Sequence, residues 1–288
     1  YYGQGITYRE LDQYSDRFAL FLKRIGLNKG DKVALFMQNC PQYVISKLGA
    51  EKIGVSVAPC SPMFKEWELE YQLNDLGAKV IVALDHLYPI VEAVKEKTAL
   101  EHIVLTNYSD FLPETPYPSF PEPLVPKKKI EGTHDFKEII HQPSDEVPRE
   151  EIDPAEDVSL IVYTSGSTGM PKGAMLTYRN AWYKTDCVAK AYRYTEKDIH
   201  LCVMPIFHIA GLLFSANTPL YTGGTIVLLT RFDPEAALQA ISKWKVTSAY
   251  TVVPMNLAMM DHPASKTCDF SSFRINPCTS FGVQLSEE

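Results

Sequence analysis

No stretch of this sequence stays apolar for the roughly 18 residues that a membrane-spanning helix needs. The longest candidate, Met204 to Leu229, is interrupted by His208, Asn217, Pro219 and the pair Gly223–Gly224, which excludes a transmembrane segment. Positive charge is also scarce: 28 Lys and Arg stand against 35 Asp and Glu, a formal net charge of −7 over 288 residues. Counterion release from nucleic acid needs a basic surface, so a nucleic-acid partner is excluded. Cysteine is sparse and unpatterned. Cys40, Cys60, Cys187, Cys202, Cys268 and Cys278 form no C-x-x-C pair and have no His at ligand spacing. That sets aside a zinc site and a disulfide frame, and reads as thiols of a reducing, cytoplasmic compartment. The chain opens Tyr1-Tyr2-Gly3-Gln4-Gly5, without an initiator Met or a leader, and closes on Ser286-Glu287-Glu288; it reads as a piece of a longer polypeptide. What remains is ordinary. Hydrophobic residues at 45% and charged ones at 22% are the balance of a globular protein with one large core or two smaller ones.

Helix and strand signals alternate over residues 1–106. Thr7 and Glu10 make a capping box, and Leu11, Tyr14, Phe18, Leu22 and Ile25 follow at helical spacing until Gly26. Strand patterns at Lys32–Met37, Val55–Ala58, Lys79–Ala83 and His102–Leu105 are separated by helical ones at Pro41–Ile53, Glu66–Leu76 and His86–Lys97. Repeated βα units predict an α/β fold, with parallel-type sheets packed with helices. Residues 107–157 break the pattern. Six prolines between Pro113 and Pro126 fall within 14 residues, followed by Lys127-Lys128-Lys129. This density predicts an extended surface connector without helix or central strand, and the lysines read as a solvated turn. Over 158–288 the alternation resumes as a second α/β subdomain: strands at Val158–Tyr163, Ala174–Leu176, Ile199–Val203, Thr225–Leu229 and Thr247–Val252, and a helix opened by Asp233-Pro234-Glu235.

The string Thr164-Ser165-Gly166-Ser167-Thr168-Gly169-Met170-Pro171-Lys172-Gly173 follows an apolar strand and packs four hydroxyls, three glycines and one lysine into ten residues. Glycines let backbone N–H groups approach an anion, hydroxyls add neutral donors, and Lys172 adds a point charge for phosphate oxygens. Each charge-assisted bond contributes about 1.5–3 kcal/mol, so several together hold a polyphosphate. The string is not a Walker loop: Pro171 precedes Lys172 and Gly173 follows it, where that pattern needs Gly-Lys-Ser/Thr.

Residues Tyr163–Gly173 closely resemble the phosphate-loop signature of the adenylate-forming (AMP-binding) superfamily, most like its fatty-acid–CoA ligases. Ile6–Leu11, Gly30–Ala34, Pro205–Gly211, Gly223–Thr225 and Lys245–Thr247 resemble further family segments. The resemblance implies the large N-terminal domain of an acyl-CoA synthetase, with the C-terminal lid domain absent. It implies a carboxylic acid, ATP with Mg²⁺, and coenzyme A as ligands, and leaves room for a homodimer. Ser165, Gly166, Ser167, Thr168, Gly169 and Lys172 would grip phosphates, and Thr164 would be a Mg²⁺ ligand or neighbour. His208 would sit between acyl pocket and adenylate, Arg231 near the CoA nucleotide, and Val283 along the adenine.

Two departures matter. Phe281 and Gln284 stand where relatives usually show a small residue and a proline. The amino-acid-activating branch carries an Asp near the position of His208; an imidazole cannot neutralise an ammonium, so a fatty or aryl acid fits better. Phe207, Ile209, Leu212, Leu213 and Phe214 would form the apolar surround. The family's glutamate-bearing segment, ribose-binding Asp and lid Lys would lie past Glu288, so these 288 residues alone are expected to have little ligase activity. The rival readings are a non-catalytic nucleotide- or acyl-binding module, favoured by Phe281 and Gln284, and an unrelated P-loop kinase, disfavoured by the missing Walker spacing.

Overall fold

The structure is a computed structural model and describes residues 1–123, 125–143, 149–164 and 169–279. Contacts divide the chain into two compact units. The first comprises Gln4–Thr115 and Glu122–Lys184; the second comprises Tyr1–Gly3, Pro116–Pro121 and the chain from Thr185 onward. The expected consecutive blocks at 107 and 158 therefore differ from the observed grouping. The strand starting at Val158 pairs within the sheet of the opening segment, and six residues of the proline stretch pack with the second unit.

In the first unit, β1 (Lys32–Phe36), β2 (Ser56–Cys60), β3 (Val80–Leu84), β4 (His102–Thr106), β5 (His134–Asp135), β6 (Val158–Thr164) and β7 (Lys172–Thr177) form one sheet. Its order is β5-β4-β3-β1-β2-β6-β7. Every neighbouring pair is parallel except the hairpin β6–β7. β2 and β3 are buried along their whole length, as a parallel sheet covered on both faces requires. The covering helices are α1 (Tyr8–Arg24), α2 (Pro41–Lys52), α3 (Glu66–Leu76), α4 (Tyr88–Lys95) and α5 (Phe136–His141), and α6 (Tyr178–Ala191) starts in this unit, its residues from Thr185 onward being grouped with the second. The α1 start is as read: Glu10 N donates to Thr7 Oγ1 at 3.2 Å and Thr7 N to Glu10 Oε2 at 2.7 Å. Its apolar stripe buries Phe18 and Leu22 against α2 and α5.

The 107–157 segment is more ordered than its composition predicts. β5 and α5 form beyond the prolines because Asp135 caps α5, accepting from Glu138 N at 3.0 Å. Lys127 is not a solvated turn residue. Its Nζ lies 2.9 Å from Asp110 Oδ1 and 2.8 Å from Asp135 Oδ2, stapling this stretch to the β4 and β5 ends. Within the second unit Tyr117 packs edge-on against Trp244, and Phe120 against Tyr2, with ring centroids 5.9 and 5.1 Å apart.

The second unit contains β8 (Ile199–Cys202), β9 (Thr225–Leu228) and β10 (Ser248–Ala249) in the parallel order β10-β8-β9, with β11 (Thr251–Val252) paired to β12 (Cys278–Thr279). The expected strand Thr247–Val252 is thus split at Tyr250 between two sheets. Its helical elements are α7 (Ile209–Gly211), a π-helical turn over Leu212–Asn217, α8 (Thr218–Thr222), α9 (Pro234–Trp244) and α10 (Val253–Asp261). α9 starts where the sequence places it, with Asp233 Oδ1 accepting from Ala236 N at 2.8 Å. No helix among the described residues is long and apolar enough to cross a membrane.

A polar knot ties the amino ends of β8 and β10. Arg274 donates Nε to Asp198 Oδ1 and Nη2 to Asp198 Oδ2, both at 2.9 Å. Burial pushes the Asp198 carboxyl up, but Arg274, Thr195 and Thr247 outweigh it and hold the group at about 2. Next to it His200 is 3% exposed with its Nε2 unpartnered, and burial pushes it down to about 4 against the pull of Asp198. A histidine lowered from 6.5 on folding lets the unfolded chain take up the proton first. Stability is therefore intact above pH 6.5 and falls as pH drops towards 4. Comparing urea unfolding at pH 7 and pH 4, His200→Phe should remove about 3 kcal/mol of that acid loss. An unchanged pH slope would refute the assignment.

Candidate functional site

The Gly-rich string joins β6 to β7, which pair as an antiparallel hairpin. β6 runs parallel to β2, so its carboxyl end opens on the same side as those of β1–β4, where open α/β sheets hold ligands. The ladder pairs Thr164 with Lys172 and Tyr163 with Gly173. Directly opposed residues point to one face, so a hydroxyl and an ammonium share the mouth of the loop. Thr164, Gly169 and Lys172 are all exposed. Ser165, Gly166, Ser167 and Thr168 lie outside the described residues, as do Phe281, Val283 and Gln284. Among the described residues no group of three His, Cys, Asp or Glu could hold a metal ion. Among the described residues Thr164 thus has no acidic cage around it, and magnesium would fit here as the escort of a polyphosphate, which is how that ion is commonly held.

The root of the hairpin rests on a buried polar cluster. Lys47 Nζ lies 2.7 Å from Glu51 Oε2, with side chains 7% and 14% exposed. Ser159 on β6 donates to Glu51 Oε1 at 2.5 Å, and the Tyr178 hydroxyl donates to the Glu51 carbonyl at 2.8 Å. Burial pushes the Tyr178 phenol well above its ordinary range, so it remains a donor. One helix thereby positions both strand β6 and the first turn of α6. Ser56 on β2 adds a bond to the Val158 carbonyl at 2.8 Å.

His208, Arg231 and the expected acyl surround belong to the second unit. His208 is exposed and caps α7, its Nδ1 accepting from Ala210 N at 3.3 Å; it is not a buried core histidine. Its own N–H donates to the Pro205 carbonyl at 3.2 Å. The turn closes tightly over Gly211, where an added Cβ would meet Pro205 O at 2.1 Å. Gly211→Ala should displace that carbonyl and the His208 turn together, destabilising the unit by about 1–3 kcal/mol. Chemical denaturation of the variant checks this, and wild-type stability would count against the close fit. Leu212 and Leu213 are core, whereas Phe207, Ile209 and Phe214 are part-exposed. Phe214 stacks on Tyr250 with ring centroids 4.2 Å apart. The π-helical turn beneath them has no sequence signal, but such turns frequently mark functional sites. Arg231 is exposed and its Nη2 donates to the Pro121 carbonyl at 3.0 Å, so part of its guanidinium anchors the proline stretch. Sequence reasoning missed that contact and the Ser159–Glu51 bond, whose partners are 110 and 108 residues apart and do not announce each other; the Lys47–Glu51 pair, at i,i+4 spacing on α2, does carry a sequence signal.

Comparison with known proteins meets this geometry. A family model described as AMP-binding enzyme matches residues 1–288. A long-chain-fatty-acid–CoA ligase of Bacillus subtilis is 34% identical over all of this chain and 52% of its own length. A 4-coumarate–CoA ligase of rice is 29% identical over 95% of this chain and 46% of its own. A solved long-chain-fatty-acid–CoA ligase (FadD1) of Archaeoglobus fulgidus superposes with a TM-score of 0.81 at 25% identity, covering 98% of this chain and 52% of that one. The chain spans about half the length of the curated relatives it matches. With the whole sequence matched and the hydroxyl-rich hairpin at the carboxyl end of a parallel sheet, this chain belongs to the AMP-binding enzyme family.

Proposed function

We propose that the full-length protein is an ATP-dependent acid–CoA ligase acting on a fatty acid. A carboxylate oxygen attacks the α-phosphorus of ATP and pyrophosphate leaves, giving an acyl adenylate; the thiolate of coenzyme A then attacks the acyl carbonyl and AMP leaves. Activation is needed because a carboxylate has only oxide as its own leaving group. The first step is mainly alignment and charge neutralisation. In this reading the loop from Ser165 to Gly169 and the Lys172 ammonium hold the β- and γ-phosphates. Thr164 lies beside the magnesium that accompanies them. His208, exposed at a helix cap, faces the acyl adenylate, Arg231 contacts the CoA nucleotide, and Val283 lines the adenine.

The observation that carries the proposal is the opposed pair Thr164 and Lys172 at the mouth of a glycine- and hydroxyl-rich hairpin. The names of the relatives support the acid–thiol chemistry, and the apolar residues around His208 support a fatty chain over a charged one. Acid-dependent exchange of labelled pyrophosphate into ATP by the full-length protein tests the assignment. Fatty acids should support exchange and α-amino acids should not; exchange with neither would defeat it. The 288-residue chain alone is proposed to form little acyl-CoA, and robust turnover by it would contradict that part.

A further inference from the structure

The loop-bearing hairpin is gripped by a third element, α3. The Tyr71 hydroxyl donates to the Pro171 carbonyl at 2.7 Å, and the Tyr163 hydroxyl donates to Asp75 Oδ2. Tyr71 and Asp75 are four residues apart on one helix and so share a face. Their partners lie on opposite flanks of the loop: Tyr163 immediately precedes Thr164, and Pro171 immediately precedes Lys172. Both anchors reach the loop within a residue of the side chains at its mouth.

The grip is built from several sides. Trp67, one turn before Tyr71, stacks on it with centroids 6.0 Å apart and planes at 14°, fixing the direction of the phenol. α3 itself is seated through buried Leu69, Leu73 and Leu76 and through Gln72 Nε2, which donates to the Pro59 carbonyl at 2.9 Å. Opposite Tyr163 the ladder places Gly173. A Cβ there would meet Tyr163 Cζ at 3.2 Å and Ile161 Cγ2 at 2.9 Å. The bare glycine lets the ring lie across β7 and reach Asp75. Burial, and then the Asp75 carboxylate, push the Tyr163 phenol far above its ordinary range, so it donates at any physiological pH.

We propose that Tyr71 and Asp75 are positioning residues for the phosphate loop: from one face of α3 they clamp both flanks of the hairpin and set its mouth for a triphosphate. The proposal rests on the phosphate reading above. Groups that are placed only on binding lose freedom at that moment, whereas mouth residues whose flanks are fixed beforehand bind with that loss already met. The clamp touches no reacting atom, so it acts on nucleotide affinity rather than on the chemical step.

In the full-length protein, Tyr71→Phe and Tyr163→Phe each delete one hydroxyl and nothing else. Each should raise KM for magnesium ATP about threefold to tenfold, a normal loss for one hydrogen bond. KM for the acid, kcat at saturating ATP and the thermal midpoint should stay at wild-type values; a merely structural role would move the midpoint instead. Asp75 is exposed and tolerates truncation, so Asp75→Ala should copy Tyr163→Phe while Asp75→Asn, which keeps an acceptor oxygen, restores most of the affinity. Lys172→Ala serves as the control for the phosphate reading. If it raises KM for ATP while the two hydroxyl deletions and Asp75→Ala leave KM unmoved, the clamp is overturned and the phosphate reading stands. If Lys172→Ala also has no effect, both fall together.

Discussion

Lys172→Ala in the full-length protein should weaken magnesium ATP binding by about 10- to 150-fold, the equivalent of one charge-assisted phosphate contact. The magnitude follows from where the residue stands. Lys172 opens β7 opposite Thr164, and its side chain is exposed to an incoming anion. Pyrophosphate exchange should fall in step, with the affinity for the acid unchanged. Lys172→Arg should rescue only part, because a planar fork does not reproduce a point charge. Exchange at the wild-type rate in Lys172→Ala would remove the phosphate cradle from this site. No stability change should accompany the variant.

The second large effect is on stability. Glu51→Ala should destabilise the first unit by about 3–5 kcal/mol, the cost of leaving a buried charge uncompensated. The Lys47 side chain is 7% exposed and has Glu51 as its ion-pair partner at 2.7 Å. The same substitution strands the Ser159 hydroxyl, which donates to Glu51 Oε1. Urea unfolding measures the loss. The double variant Lys47→Met with Glu51→Gln should recover most of it, since removing both charges leaves no buried ion to solvate. If Glu51→Ala unfolds at the wild-type midpoint, the cluster is not what seats β6. Because β6 carries the loop, the single variant should also weaken ATP binding, and the double variant should restore it.

Much of the fold was legible in local pattern. The α1 capping box, the Asp233-Pro234 start of α9 and the alternating βα units are consequences of neighbours within a few residues, and each formed as read. The departures share a physical cause. α10 lies in the run Val253-Pro254-Met255-Asn256-Leu257-Ala258-Met259-Met260, which has no polar face: Leu257 and Met260 are 53% and 72% exposed while Met259 is buried. Without a contrast of faces there was no helical period to read. Prolines marked 113–126 as irregular, correctly in local terms, but nothing local says that Lys127 will find Asp110 and Asp135. Likewise the strand at Thr247–Val252 reads as one run, and its division at Tyr250 depends on which partners β8 and β12 offer on either side.

The candidate site divides in the same way. Its chemistry is written in adjacent letters: four hydroxyls, three glycines and a lysine within ten residues supply the donors that an anion cradle needs, because those functional groups are covalently close. Its support comes from far away. Tyr163 and Asp75 are 88 residues apart, Tyr71 and Pro171 are 100 apart, and Ser159 and Glu51 are 108 apart. Hydrogen bonds between such distant positions leave no periodicity in the chain, and only the parallel order of the sheet, which sets β6 beside β2 and α3 against the hairpin, could decide them.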